Sequence, residues 1–119
     1  MLNLNRVELL GNIASDPTIR SLQDGRVCNL RIATNETWKD KDTAERRSKA
    51  QFHNLTIWHE KTIAFIEKHV RKGDYMFVQA KLEHTSTEKD GESTYFTNIV
   101  VKRIDFAQSK DAEGAGDED

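Results

Sequence analysis

The chain has 119 residues, of which 36% are hydrophobic and 32% charged, and its formal net charge is −2. This length suits one compact domain, and no run approaches the roughly 20 apolar residues of a membrane-spanning helix. The first residues lack the basic start and apolar run of a signal peptide. The single Cys28 cannot form an internal disulfide, and no Cys/His spacing resembles a zinc site. We therefore expect a cytosolic protein with no membrane contact and no metal.

The charge is unevenly distributed along the chain. Residues 110–119 contribute −4, which leaves residues 1–109 with a charge of +2. An acidic segment containing Gly and Ala cannot bury enough apolar surface to offset the entropy lost on ordering. We expect a folded domain over residues 1–107 and a disordered acidic tail over residues 108–119.

Two strands are expected in the first third of the chain. Residues 6–13 alternate as a strand does, and a turn signal follows at residues 15–17. The Asp24-Gly25 pair suits a hairpin. Residues 26–34 alternate again, which turns three side chains toward a core: Cys28, Leu30 and Ile32. The polar, charged residues 39–50 then predict a long mobile loop with a functional role.

The segment 52–58 carries the strongest functional signal. At the two-residue period of a strand, Leu55 and Ile57 fall on one face, whereas Phe52 and Trp58 share the other with an amide and a hydroxyl. Aromatic rings on the wet face of a strand suit base stacking, because every nucleobase has a π-face. The alternative is that a helix or a second subunit covers this face.

One helix and two more strands follow. Apolar residues at helical spacing from Ile63 to Val70 predict about three turns, which the bases and glycine at residues 71–73 end. Residues 75–82 alternate strongly, with inward positions at Met76, Val78, Ala80 and Leu82. A hairpin tip is expected at residues 88–92 and a last strand at residues 94–106.

The resulting order is β-β-β-α-β-β, an all-β class with one helix. It matches the five-stranded Greek-key barrel of the oligonucleotide/oligosaccharide-binding (OB) fold, whose ligand face uses strands 2 and 3. Strand 3 carries Phe52 and Trp58, and strand 2 runs into Trp38. The face polarity and the fold therefore indicate the same binding surface.

Several motifs resemble the bacterial single-stranded DNA-binding protein family. They are Asn5-Arg6-Val7, Leu10-Gly11-Asn12, Asp16-Pro17 with Arg20, Ala33 to Asp40, Phe52-His53 and Arg71-Lys72-Gly73-Asp74. The resemblance covers roughly residues 3–105, and motifs that recur in order are more specific than any one alone.

The resemblance implies roles for individual residues. Base stacking carries over to Trp38, Phe52 and Trp58; Trp58 stands where the family usually has Phe, and Phe52 where it often has Trp, so a π-face is kept. Phosphate contacts carry over to Arg6, Arg20, Lys39 and Lys72, with added charge from Arg46, Arg47 and Lys49 on the loop. The family's homotetramer implies a subunit interface at His53, and at Tyr75 and Phe77 on a strand used for assembly.

Three departures from the family pattern stand out. Most of the bases usual in the strand 4–5 region are missing, which leaves Lys81 and Lys89. The tryptophan usual in the strand 4–5 hairpin is absent, and the segment reads Glu83-His84-Thr85-Ser86-Thr87. The acidic end lacks the terminal Pro-Phe that partner proteins grip, which leaves open a truncation, a different partner or a divergent copy. We still expect the tail to contact replication and repair proteins.

The expected function is sequence-tolerant binding of single-stranded DNA during replication, recombination and repair, in the cytoplasm and at the nucleoid. An alternative is a primosome-like accessory subunit that acts through protein contacts, and an RNA chaperone is a second. No catalytic, metal or cofactor arrangement is apparent. Three loop acids imitate a nuclease metal cluster, but a charged loop explains them: Asp40, Asp42 and Glu45.

Overall fold

A computed structural model describes residues 1–107 as a closed barrel of five strands with one helix. The elements are β1 (Val7–Leu22), β2 (Gly25–Lys39), β3 (Arg46–Ile57), α1 (Glu60–His69), β4 (Tyr75–Lys89) and β5 (Glu92–Phe106). The element order, the helix between strands 3 and 4, and the barrel are all confirmed. The acidic tail expected over residues 108–119 lies outside the described residues.

The strands close in the order β1-β2-β3-β5-β4. All neighbours are antiparallel except β3 and β5, which are parallel and meet at two register pairs, Leu55 with Ile99 and Thr56 with Val100. β1 serves two partners, since its first half pairs with β4 and the remainder with β2. A barrel closed in this way leaves no long unpaired strand edge around the core.

The core lies inside the barrel and under the helix. The inward positions expected on β2 and β3 are buried, and α1 adds Ile63 and Ile66 to the same cluster. Met76, Val78 and Ala80 of β4 are buried as expected. The inward placement of Leu82 is wrong, because β4 has left the barrel at that point and the side chain is exposed.

Two segments that the sequence predicts as a turn and a loop consist largely of strand. β1 continues through residues 15–17 with irregular register on either side, so the expected turn there is a distortion within the strand. The long loop expected over residues 39–50 is also wrong, since β2 and β3 remain paired as far as Lys39 and Arg46. Residues 40–45 alone join them.

Two hairpin arms project beyond the barrel. The β2–β3 arm comprises residues 35–50, and the β4–β5 arm comprises residues 82–97. Strand residues in both arms are exposed on both faces. Backbone pairing holds these arms, so their side chains are available to a ligand.

Candidate nucleic-acid interface

Phe52 lies on the outer face of the barrel, as its strand phase predicts. It pairs with Ala33 of β2, and its side chain is 51% exposed. The guanidinium carbon of Arg31 lies 4.5 Å from the centre of the ring. A cation over an aromatic face is attracted by the ring quadrupole, so Phe52 presents a flat surface beside a fixed positive charge. Sequence reasoning missed Arg31 as a site residue.

Trp58 follows the last residue of β3 and is 53% exposed. It borders two grooves. One, of about 350 Å³, lies against the β1–β2 turn and the start of α1. The other, which we call the central groove, has a volume of about 300 Å³ and runs from Trp58 toward β4 and β5. Its lining is Arg20, Val27, Asn29, Thr56, Trp58, Glu83, Thr85, Asn98 and Val100.

The central groove has an apolar floor under polar walls. Val27 and Val100 are 2% and 9% exposed, yet neither belongs to the core cluster inside the barrel. Val100 is in register with Thr56 of β3 and Lys81 of β4, so it lies on the outer face. A flat base could rest on such a floor while amides and hydroxyls meet its edge. Sequence reasoning missed both valines.

Three polar side chains of the groove have partners that hold them in place: Glu83, Thr85 and Asn98. The amide of Asn98 donates to the hydroxyl oxygen of Thr85 at 3.2 Å, across the β4–β5 ladder. Glu83, the acid of the groove, forms an ion pair with Lys81 at 3.5 Å. Arg20 also lines the groove and supplies a positive charge. A phosphate in the groove therefore meets a cation and an acid that is already paired.

An ion cluster stands beside Trp58. Arg26 donates to both carboxylate oxygens of Glu60 and to one of Glu67, which ties the start of β2 to α1. These hydrogen bonds raise the pKa of Arg26, and the bond from Arg26 lowers the pKa of Glu60. Because Glu60 and Arg26 also line the groove next to Trp58, the cluster fixes one wall around that ring.

Trp38 has a different placement from the other two aromatics. It pairs with Arg47 in a ladder that runs from Cys28 to Lys39 without a register shift. Successive residues of a strand point to opposite faces, so Trp38 shares the phase of Ile32, whereas Phe52 lies in the opposite phase. Trp38 is 46% exposed on the β2–β3 arm. The three predicted stacking residues therefore do not share one face.

The predicted phosphate-binding residues lie in four places. Arg20 lines the central groove, and Lys39 and Lys49 are exposed on the β2–β3 arm. Arg6 lies in a separate groove with Lys102, which sequence reasoning missed. The exposed Lys72 follows the helix, where its backbone N–H donates to Asp16 Oδ1 at 2.9 Å.

The acids at the end of the β2–β3 arm have a structural explanation. Backbone N–H groups of Asp42 and Thr43 donate to Asp40 Oδ1, and the Arg47 guanidinium donates to its other oxygen at 2.9 Å. These bonds hold the pKa of Asp40 below its usual value. Asp40 therefore shapes the turn. Within residues 1–107, no three His, Cys, Asp or Glu side chains are placed to hold a metal ion.

The predicted subunit-contact residues lie in two regions. His53 is half-buried, and its Nε2 is 2.9 Å from the Thr34 hydroxyl. Phe77 pairs with Leu10, and Tyr75 pairs with Asn12, on the outer side of β1 and β4. Leu10 is exposed there as well, so it extends the apolar surface that sequence reasoning assigned to the two aromatics alone.

Comparison with known proteins agrees with this fold. Residues 4–107 match the family model described as "Single-strand binding protein family". A single-stranded DNA-binding protein of Rhizobium meliloti is 34% identical, over 96% of this chain and 69% of that protein. One from Rickettsia typhi is 34% identical, over 86% of this chain and 68% of its own length.

A solved structure also has a fold similar to that of this chain. The Plasmodium falciparum SSB, solved as a complex with ssDNA, superposes with a TM-score of 0.72 at 29% identity, over 88% of this chain and 94% of that one. Among residues 1–107, no helix is both long enough and apolar enough to cross a membrane.

Proposed function

This chain belongs to the single-strand binding protein family, and from that membership we infer that it binds single-stranded DNA with little regard to sequence. Its role is to protect and organise exposed strands during replication, recombination and repair. The relatives at 34% identity are named single-stranded DNA-binding proteins. The geometry of the central groove supports the residues proposed for it.

The central groove is the observation that carries the assignment of residues. Trp58 stands at its end, the buried valines form its floor, and Phe52 lies four residues before Thr56 on the same face of β3. We propose that bases stack on Phe52 and Trp58 along this face. Each stacked base contributes about 1–3 kcal/mol and tolerates any sequence. Trp38 offers a further ring to DNA that contacts the opposite face of the β2–β3 arm.

The phosphate backbone follows the cations around these rings. We propose that Arg20 and Arg31 contact phosphates on the barrel, and that Lys39 and Lys49 do so on the arm. Arg6 and Lys72 extend the positive surface to other parts of the barrel. Every phosphate neutralised adds to the salt dependence, with a slope of about −0.7 in log K against log salt for a single strand.

Assembly and localisation complete the proposal. Single-strand binding proteins are typically homo-oligomers, and we propose a homotetramer here, with contacts through Tyr75, Phe77 and His53. Residues 1–107 form the DNA-binding domain, and residues 108–119 are an acidic tail for replication and repair proteins. The protein works in the cytoplasm, at the nucleoid.

Binding without catalysis is the proposed chemistry, because members of the family are non-enzymatic DNA-binding proteins. Cys28 is buried in the core, and burial raises the pKa of its thiol to about 11. A nucleophilic cysteine needs the opposite shift. The residues that surround the central groove offer hydrogen bonds and charge, which suit holding a strand.

Tryptophan fluorescence titrated with oligo(dT) at low and at moderate salt tests the function. Trp38 and Trp58 are the two tryptophans of the chain, so stacking on either should quench emission. Quenching that saturates at a defined length and weakens with salt is the expected result. A folded protein with no quenching would instead favour the accessory-subunit function, with both rings covered by protein.

A further inference from the structure

Phe96 is an exposed aromatic residue of the β4–β5 arm that the assignments above do not use. Its side chain is 47% exposed, and it pairs with Thr85 of β4. Along β5, Asn98 and Val100 have the same strand phase as Phe96, and both line the central groove. Alternation therefore places the Phe96 ring on the groove face of the arm.

The distance from groove to ring is short. Phe96 lies two residues beyond Asn98, which is about 7 Å along the strand at the usual rise per residue. Its partner Thr85 also lines the groove and is bonded to Asn98. Phe96 thus follows directly from the groove wall, with no intervening element.

The surroundings leave the ring open to a flat ligand. Small hydroxyl side chains share its face of the arm, at Thr85, Thr87 and Thr94. The nearest acid on that face, Glu83, is paired with Lys81, so an approaching phosphate meets a neutralised carboxylate. The part of β4 in the arm contributes no Phe, Tyr or Trp, which makes Phe96 the arm's aromatic side chain on the groove face.

We propose that Phe96 is a base-stacking platform for single-stranded DNA that leaves the central groove along the β4–β5 arm. The ligand is a nucleobase of the same strand that contacts Trp58, so this inference rests on the proposed function. The ring extends the bound path beyond the barrel, and β5 thereby supplies an aromatic surface that the arm's other strand lacks.

Tyr95 provides a matched control. It is the neighbour of Phe96, is 78% exposed and pairs with Ser86. Its strand phase is that of Thr97, whose hydroxyl lies 3.1 Å from His84 Nδ1 on the opposite face of the arm. Exposure alone would favour Tyr95 as the ligand site, whereas the groove face selects Phe96.

The test compares binding of a labelled oligo(dT), longer than the ~16 nucleotides that one such barrel covers at most, to the full chain and its variants. Phe96→Ala and Phe96→Leu should each raise Kd about fivefold or more, as loss of one stacked base does. Tyr95→Ala should leave Kd unchanged. Phe96→Trp should keep the Kd of the unaltered chain and add a tryptophan whose emission the DNA quenches.

The outcomes separate this inference from the function on which it rests. If the unaltered protein binds and Phe96→Ala binds equally well, the platform is wrong while the function stands. Full affinity in Phe96→Leu would also overturn it, because a leucine has no π-face. A smaller assembly for Phe96→Ala with unchanged Kd would assign the ring to a contact between copies of this chain. Absence of binding by the unaltered protein overturns both proposals.

Discussion

Phe52 lies on the outer face of β3, and Trp58 continues that face just after the strand ends, but the surroundings of the two rings differ. Arg31 lies over one side of the Phe52 ring, so a base can reach the other side next to a fixed guanidinium. Trp58 stands between two grooves, beside the buried Val27. Of the two proposed stacking residues, Phe52 therefore adjoins a positive charge and Trp58 adjoins an apolar floor.

Trp38→Ala tests whether the arm contributes a ring to binding. We expect it to weaken binding to oligo(dT) about tenfold, within the range for loss of one stacked base. Lys89→Ala, near the tip of the other arm, should change affinity little, because one exposed lysine supplies one phosphate contact at most. Equal effects of the two variants, measured by anisotropy of a labelled oligonucleotide, would contradict stacking on Trp38.

The two-residue period of a strand predicts which side chains face outward and which face the core. Sequence reasoning placed Phe52 and Trp58 outside and Leu55 and Ile57 inside. It missed Arg31, because the contact with Phe52 depends on which β2 residue lies diagonally across the ladder. It could not place Trp38 relative to Phe52, since that relation requires the register of β2 against β3.

In the two hairpin arms, backbone pairing holds the strands together although almost no side chain is buried. Residues 35–39 and 46–50 are exposed on both faces, yet each residue of one run pairs with one of the other. An exposed polar ribbon has no apolar alternation, so its sequence predicts a loop. Core segments such as residues 26–34 and 52–57 have one buried face, so their apolar alternation predicts strands, and the structure has strands there.

Gly11→Ala tests the close approach of β1 to β2. A Cβ at Gly11 would lie 2.1 Å from the Ala33 carbonyl oxygen, which is backbone and cannot swing aside. We expect the free energy of unfolding to fall by about 1–3 kcal/mol, as for other overpacked sites. Ser21→Ala, exposed on the same strand, should have little effect in urea titrations. Equal midpoints for the two variants would show that the strands separate at no cost.

Glu60→Gln tests the link between α1 and the start of β2. The bond from Arg26 lowers the pKa of Glu60 from its ordinary value of 4.5, so the pair stabilises the fold above that value and is lost as pH falls through the lowered pKa. The melting temperature of the unaltered chain should exceed that of Glu60→Gln at pH 7, and the difference should vanish in acid.

The control for this pH effect is Glu88→Gln, which removes the same charge on the β4–β5 arm, far along the sequence from Arg26. Its melting temperature should follow that of the unaltered chain across the pH range. A Glu60→Gln difference that is as large at pH 3 as at pH 7 would show that the carboxylate charge contributes nothing to the link.

The molecule as a whole presents two kinds of outer surface. One surface surrounds the central groove, where β2, β3 and β5 are joined by Arg20 from the second half of β1 and by Glu83 and Thr85 from the β4–β5 arm. The face of β1 and β4 carries Leu10, Tyr75 and Phe77 in paired positions. Adjoining exposed apolar side chains suit contact with another protein surface, so the proposed assembly and DNA-binding surfaces lie in different regions of one barrel.

Leu10→Glu tests the use of the second face. A charge at the centre of an apolar contact would be buried without a partner, so we expect the assembly to fall apart toward the 13.7 kDa chain. Leu4→Glu changes a more exposed leucine that precedes β1 and should leave the mass unchanged. Sedimentation equilibrium measures both, and retention of the full mass by Leu10→Glu would place the interface elsewhere.

The two-pair parallel contact between β3 and β5 has a consequence for synthesis on the ribosome. β5 is the last of the five strands to be made, and chains emerge N-terminus first. Val100, which joins that contact and floors the central groove, reaches β3 only after the other four strands have appeared. A nascent chain therefore lacks its complete central groove until all five strands have been translated.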